Sequence, residues 1–418
     1  MKTRIRNFSL IEEADLHARS YTGTFVIRAG THFVRKAPNP MSSRAPKRSA
    51  DPIREMRALY GLDSRALREF SLVPPQCSLA LGASGIAYSL ARAADLLHDS
   101  DLLLAADAWI AAAEQHASSK RAFVSSAQRL TRRTIGFASL PFAEPGLLYV
   151  KSLIRRRIGD PAGADAATRQ FITLAKTRLS RVANVHLGGL GLALAAKHLA
   201  TYGSSTRIQT ELSNMSHRYV RLAWAKTGAH IRPNQRLGFA HGIAGQVFAT
   251  YACGLPEAAL PMVGQLRDTA IPLRKAVIWP VRAGSANFGA GWCNGFAGHL
   301  LMWTKVWQHS RSSEDRELLD RIAWAVWKYR MPLGSLCCGA AGQAVILVSF
   351  SSATEDYHWK RKTLDWLHSF RPRWPRESRP QSLFQGKLGL LLARAECEYA
   401  TRPQFPVYQH GPCLPPNR

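Results

Sequence analysis

The chain has 418 residues, 46% of them hydrophobic and 11 of them Trp, enough to bury a large core. Lys and Arg total 56 against 28 Asp and Glu, a formal net charge of +28 that favours acidic partners. There is no uninterrupted apolar run of membrane-spanning length and no apolar stretch after the basic N-terminus MKTRIR, and seven cysteines, two of them adjacent, do not suit a disulfide framework. A cytoplasmic protein without a transmembrane segment is therefore expected, its thiols reduced and free for metal binding or reaction.

In chain order, residues 1–70 read as an N-terminal extension or linker that could dock a partner or a substrate leader. It holds a candidate hairpin, YTGTFVIRAGTHFVRK, a basic Pro/Ser-rich linker, KAPNPMSSRAPKRSADP, and a helix, IREMRALYG. From 71 to 400 one unit recurs, Gly-x-x-Gly followed by apolar residues: GASGIA (82–87), AEPGLL (143–148), GGLGLA (188–193), GIAGQV (242–247), GFAGHL (295–300), GAAGQA (339–344) and GKLGLL (386–391). Ala143 replaces the first glycine of the second copy, and successive copies are 61, 45, 54, 53, 44 and 47 residues apart. Seven copies at such spacing indicate a repeat architecture. Residues 401–418, TRPQFPVYQHGPCLPPNR, read as an irregular tail.

Each copy opens an apolar run, from IAYSLARAADLL to LLLARAECEYA, whose composition favours a buried helix; QAVILVSF alone would also pass as a strand. Amphipathic stretches such as DLLLAADAWIAAAEQ and DRELLDRIAWAVWKYR alternate with them and read as an outer layer. The fold expected is all-α, an α/α toroid of seven inner and seven outer helices, with an open solenoid as the alternative. The glycines would let elements approach closely at the mouth of each inner helix, where first-turn N–H groups are left free. The loops before the inner helices converge on one end of the ring, so a site is expected there.

Five metal-binding or proton-transfer side chains share that position. Cys293 lies two residues before Gly295, Cys337 and Cys338 two and one before Gly339, His241 one before Gly242, and His186 two before Gly188. Three thiolates suit zinc, and three protein ligands leave a fourth position open, the catalytic arrangement; small buried packing cysteines are the plain alternative. His241 is the candidate acid/base, with a fourth ligand or a core histidine as alternatives. His186 has no supporting motif and reads as packing, and Cys77, Cys253, Cys397 and Cys413 are out of phase with the repeat.

These residues resemble the lanthionine synthetase C-like (LanC-like) family, the cyclases of lanthipeptide biosynthesis. The family's Gly-x-x-His-Gly, Trp-Cys-x-Gly and Cys-His-Gly motifs correspond to GFAHG (238–242), WCNG (292–295) and CCG (337–339), the last a three-cysteine variant. The resemblance implies a seven-repeat toroid with Zn2+ held by Cys293, Cys337 and Cys338. It also implies Michael addition of a peptide Cys thiolate to dehydroalanine or dehydrobutyrine, with His241 protonating the enolate. The implied partners are a dehydrated precursor peptide with an acidic leader, which the +28 surface would attract, and a dehydratase. Two positions depart from the pattern: Asn184 stands where the family often has Asp, and Gly289 replaces an Arg four residues before the first cysteine.

Other readings stay open. Addition of a soluble thiol such as glutathione to dehydro-residues would use the same zinc chemistry. A non-catalytic peptide-binding relative would keep ring and metal without turnover. Glycosidase chemistry needs paired carboxylates, and Glu144 is the one acid near a helix mouth. No nucleic-acid-reading motif accompanies the basic charge, so no specific nucleic acid is expected as a partner.

Overall fold

The computed structural model describes residues 51–126, 130–131, 139–177, 183–374 and 378–410, with the backbone of two strands, β1 (Leu16–Ala18) and β2 (Thr24–Ile27). Cys413 and nearly all of the basic linker lie outside the described residues. The helices are α1 (Pro52–Tyr60), α2 (Arg65–Glu69), α3 (Ala83–Leu97), α4 (Ser100–His116), α5 (Glu144–Arg157), α6 (Pro161–Thr177), α7 (Gly189–Ala200) and α8 (Thr206–Thr227). They continue with α9 (Ile243–Ala252), α10 (Leu260–Asp268), α11 (Phe296–Ser310), α12 (Ser313–Lys328), α13 (Ala340–Thr354), α14 (Tyr357–Ser369) and α15 (Lys387–Tyr399).

From α3 onward the odd-numbered helices form the inner layer and the even-numbered ones the outer layer. Each inner helix packs on the next, and α15 packs back on α3, so the ring is closed. The fold is an α/α toroid. The open solenoid is excluded because its terminal helices would not touch. QAVILVSF lies within α13, where every residue from Ala340 to Ser351 is buried between neighbours on both sides. Such surroundings suit a helix that is apolar all round.

The two layers start differently. Outer helices use side-chain caps: Asp99 accepts from the Leu102 N–H at 3.1 Å and Ser312 from the Asp315 N–H at 3.1 Å. Inner helices begin at glycine, or at Ala143 in the second copy, without a side-chain cap. The sequence suggests free first-turn N–H groups, but in four of the inner helices one of them is paired. The N–H of Ala83 donates to the Gln76 carbonyl (2.7 Å), Ile243 to Arg236 (3.1 Å), Ala340 to Leu333 (2.7 Å) and Leu388 to Pro380 (2.9 Å). The loop folds back over its own helix, which satisfies donors that burial would otherwise leave unpaired.

Two outer positions escape simple periodicity. The fourth is filled by the short α10 and a 3-10 turn, Pro256–Ala259. The seventh is filled by α1, which comes before the first repeat and packs on α15 and α3. Residues on either side of the expected 71–400 unit therefore join the same core: Ile53, Met56 and Tyr60 from α1, and Phe405, Val407 and Tyr408 near the C-terminus. The sequence reading also lacked three strands between α10 and α11. β3 (Ile271–Pro272) pairs with β4 (Val277–Ile278), and β5 (Asn287–Gly289) pairs with β2. The expected N-terminal hairpin contains β2, whose partners are β1 and β5; its second arm lies outside the described residues.

His299, on α11, carries a pH-dependent cost. It is 1% exposed and stacks on Trp279 at 4.4 Å, while both ring nitrogens lack a hydrogen-bond partner. Burial pushes its pKa down to about 3. The unfolded chain, with a histidine pKa near 6.5, takes up this proton first, so stability is intact above about pH 6.5 and declines as pH falls towards 3. Replacing His299 with Phe should stabilise the protein by up to about 2 kcal/mol more at pH 5 than at pH 8, read from thermal melts. Equal shifts at the two pH values would contradict this account.

Candidate metal centre

Two residues ahead of each leading glycine, or of Ala143, the main chain is tied to the next copy. The N–H of Ala80 donates to the Pro141 carbonyl (2.7 Å), His186 to Ala240 (3.0 Å), Ala240 to Cys293 (2.8 Å), Cys293 to Cys337 (3.4 Å), Cys337 to Phe384 (3.0 Å) and Phe384 to Ala80 (3.2 Å). Pro141 has no N–H, and the Ser139 hydroxyl takes its place by donating to the His186 carbonyl at 3.2 Å. The result is a closed belt of hydrogen bonds around the mouth of the ring.

Four residues ahead of the glycine in the first, third, sixth and seventh copies, a short polar side chain caps the loop turn. Ser78 accepts from the Leu81 N–H (3.2 Å), Asn184 from Leu187 (2.7 Å), Ser335 from Cys338 (3.4 Å) and Ser382 from Gln385 (2.9 Å). Asn184 thus does the same job as three serines. In the fourth and fifth copies this position is glycine because the loops meet. A Cβ on Gly238 would lie 2.5 Å from the Asn294 Cα, and one on Gly291 2.8 Å from the Cys338 Cα. This close approach draws cysteines 45 residues apart in sequence into one cluster.

The Sγ atoms of Cys293, Cys337 and Cys338 all lie within 4.8 Å of one another. Cys293 is 2.9 Å from Cys338, and Cys338 is 3.3 Å from Cys337. All three are free thiols. Hydrogen bonds from Cys337 and Cys338 hold the Cys293 thiol well below its ordinary range, whereas the bond to Cys293 pushes both partners up. Among the three, Cys293 is thus the thiol that ionises most readily. Three soft donors converging on one point fit a metal ion, and a cation there would favour ionising all three. The Asn294 amide nitrogen lies 3.7 Å from the Cys293 sulfur. Of the other described cysteines, burial pushes the Cys77 and Cys253 thiols up to about 12 and also raises Cys397, which leaves them inert packing groups.

His241 sits at the same mouth, partly exposed. Burial lowers its pKa, the charge of nearby Cys293 opposes that shift, and Arg236 reinforces it. At neutral pH the imidazole is uncharged and able to accept a proton. His186, which the sequence placed as packing, is buried among aromatic rings and lies next to His241: the two imidazoles meet in a T-shaped contact with centroids 5.5 Å apart, and the His186 Nδ1 is 3.0 Å from the Tyr408 hydroxyl. Gly289 ends β5 against the neighbouring loop, where a Cβ would lie 2.9 Å from the Asn294 carbonyl oxygen. No larger side chain fits there without moving that loop. Asn294 and Tyr408 were missed from sequence. The first could have been found by its place beside Cys293, but the second is outside the repeat and carries no periodic signal.

The family model described as "Lanthionine synthetase C-like protein" matches residues 74–409. Among curated proteins, none matches the sequence. Among solved structures, a chain described as nisin cyclase matches with a TM-score of 0.61 and 13% identity, over 81% of this chain and 93% of that one. At this identity the likeness supports the fold alone.

The close approach at Gly291 is open to test. Gly291→Ala should force the two cysteine loops apart and destabilise the protein by about 1–3 kcal/mol. Gly264→Ala is the control, since a Cβ at Gly264 meets nothing within 4 Å; within a helix it should be neutral or mildly stabilising. Thermal melts of the two variants check this, and equal melting temperatures would contradict the packing described.

Proposed function

Because the chain belongs to the lanthionine synthetase C-like family, we propose that it closes thioether rings in a lanthipeptide precursor, joining a cysteine thiol to dehydroalanine or dehydrobutyrine. The observation that supports this most is the three-thiol cluster beside a neutral, partly buried imidazole. Cys293, Cys337 and Cys338 would hold zinc, leaving a fourth position for the substrate. When bound, zinc supplies Lewis acidity that keeps a substrate thiol ionised near neutral pH.

His241 handles the proton. Neutral at rest, it accepts the proton released by the substrate thiol. As the C–S bond forms at the β-carbon, the alkene electron pair moves towards the adjacent carbonyl. His241 then returns the proton to the α-carbon, so peptide mass is unchanged. The loops around the cluster position the ligands, because the Cys293 and Cys337 backbones belong to the hydrogen-bonded belt and the Cys338 N–H donates to the Ser335 hydroxyl.

The net charge of +28 supports capture of an acidic leader. One surface of suitable chemistry is a groove of about 450 Å³ lined by Arg274, Lys275, Lys328, Arg330, Trp324 and Trp327. A dehydratase partner would supply the dehydrated substrate. Among the described residues no helix is long and apolar enough to cross a membrane. A non-catalytic binding role is the second reading, favoured by the turn-capping Asn184 and the closely packed Gly289.

The test is a peptide carrying one dehydroalanine, one cysteine and an acidic leader, incubated with zinc-loaded protein. Free thiol should disappear with no change in peptide mass. His241→Asn should slow the reaction by about 10²–10⁴-fold, and the triple Cys→Ala variant should abolish it. Peptide binding without thiol loss would contradict the cyclase reading and favour the binding role.

A further inference from the structure

The segment after α15 does not trail over the surface. It enters the ring and is held by three inner helices. The Gln404 N–H donates to Glu396 of α15 (3.3 Å), the Val407 N–H to the Tyr88 hydroxyl of α3 (2.9 Å), and the Gln409 amide to Ser349 of α13 (2.7 Å). Phe405, Val407 and Tyr408 are at most 1% exposed. Val407 has φ of +73°, a left-handed conformation that a β-branched residue adopts only under constraint. Such strain persists where surrounding structure enforces it, and it is commonest at functional sites.

That strained turn places Tyr408. Its ring stacks on Trp292, the residue before the first cluster cysteine, with centroids 5.2 Å apart. Its hydroxyl meets the His186 Nδ1 at 3.0 Å. If Nδ1 carried the proton, the buried phenol O–H would have no acceptor. A buried donor left unmade costs more than an acceptor with a spare lone pair, so Tyr408 donates and the imidazole keeps its proton on Nε2. The rings of Phe142, Trp292, Phe384 and His241 all meet the imidazole in T-shaped contacts.

A thioether-forming addition places negative charge on the substrate carbonyl oxygen, which needs a hydrogen-bond donor. Gly289 offers no side chain there. His186 stands beside His241 with an N–H to offer. We propose that His186, held as its Nε2–H tautomer by Tyr408 of the C-terminal segment, donates a hydrogen bond to the enolate oxygen formed during ring closure. This rests on the cyclase reading above. His186 shares its proton without losing it; the proton that ends on the α-carbon still travels from the substrate thiol through His241. Tyr408 is a positioning residue, and the chain's last described segment is part of the site.

The test uses the full zinc-loaded chain with ¹⁵N-labelled histidine. In the native protein the His186 resonances, assigned by their loss in His186→Gln, should show a protonated Nε2 and a hydrogen-bonded Nδ1. Tyr408→Phe keeps the stack on Trp292 and should leave zinc content unchanged and lower the melting temperature by no more than about 2 °C while mixing the tautomers. It should lower kcat by about 10-fold, and His186→Leu should lower it by about 10²–10³-fold, with KM within a factor of about two in both. A native rate and an unchanged tautomer in Tyr408→Phe would overturn the proposal. Loss of zinc in either variant would also overturn it, by showing a structural role. A native protein that binds zinc but closes no ring would refute the cyclase reading and the catalytic role of His186 with it. The tautomer measurement would still decide whether Tyr408 positions the imidazole.

Discussion

The belt of main-chain hydrogen bonds at the mouth of the ring is the constraint on which the rest depends. Every main-chain link joins residues at the same phase of neighbouring repeats, and the seventh repeat returns to the first through Phe384 and Ala80. A belt of fixed circumference leaves no freedom to slide one loop past the next. Residues at the linked positions are therefore placed by the whole ring and not by their own loop. Where Pro141 cannot donate, the Ser139 hydroxyl completes the circuit, which shows how strongly closure governs local choice. The two glycines at 238 and 291 tighten the belt at one sector, and the three thiols stand in that sector.

This arrangement gives soft ligands what a single loop could not. Cys337 and Cys338 are neighbours in sequence, but Cys293 reaches them only because its carbonyl and N–H are links in the belt. Buried thiolates repel one another, and the hydrogen bonds within the cluster favour ionisation of Cys293 over that of its two partners. A divalent ion bound there would remove that repulsion. The belt holds the donors together beforehand, and binding then costs little reorganisation. His241 is fixed in the same way, one residue after the belt link at Ala240.

Much of this was legible in the sequence, for a physical reason. Close packing in each repeat needs glycine at fixed places, so the glycines report the period, and the cysteines and His241 are read by their phase against it. The seven inner helices follow from that period. What stayed hidden depends on contacts between distant parts of the chain. α1 fills the seventh outer position because ring closure leaves that position empty, which its own sequence does not announce. The strand-like QAVILVSF became a helix because neighbours cover it on both sides. The partner of His186 was hidden because Tyr408 lies 222 residues away in a segment outside the repeat.

The central claim is that ring closure brings three thiols from two repeats to one ion. X-ray absorption at the zinc edge tests this most directly, on protein purified reduced and without chelator. The account predicts one zinc per chain with three sulfur neighbours at about 2.3 Å and one lighter neighbour. Absence of zinc, or a first shell made of nitrogen and oxygen alone, would contradict it.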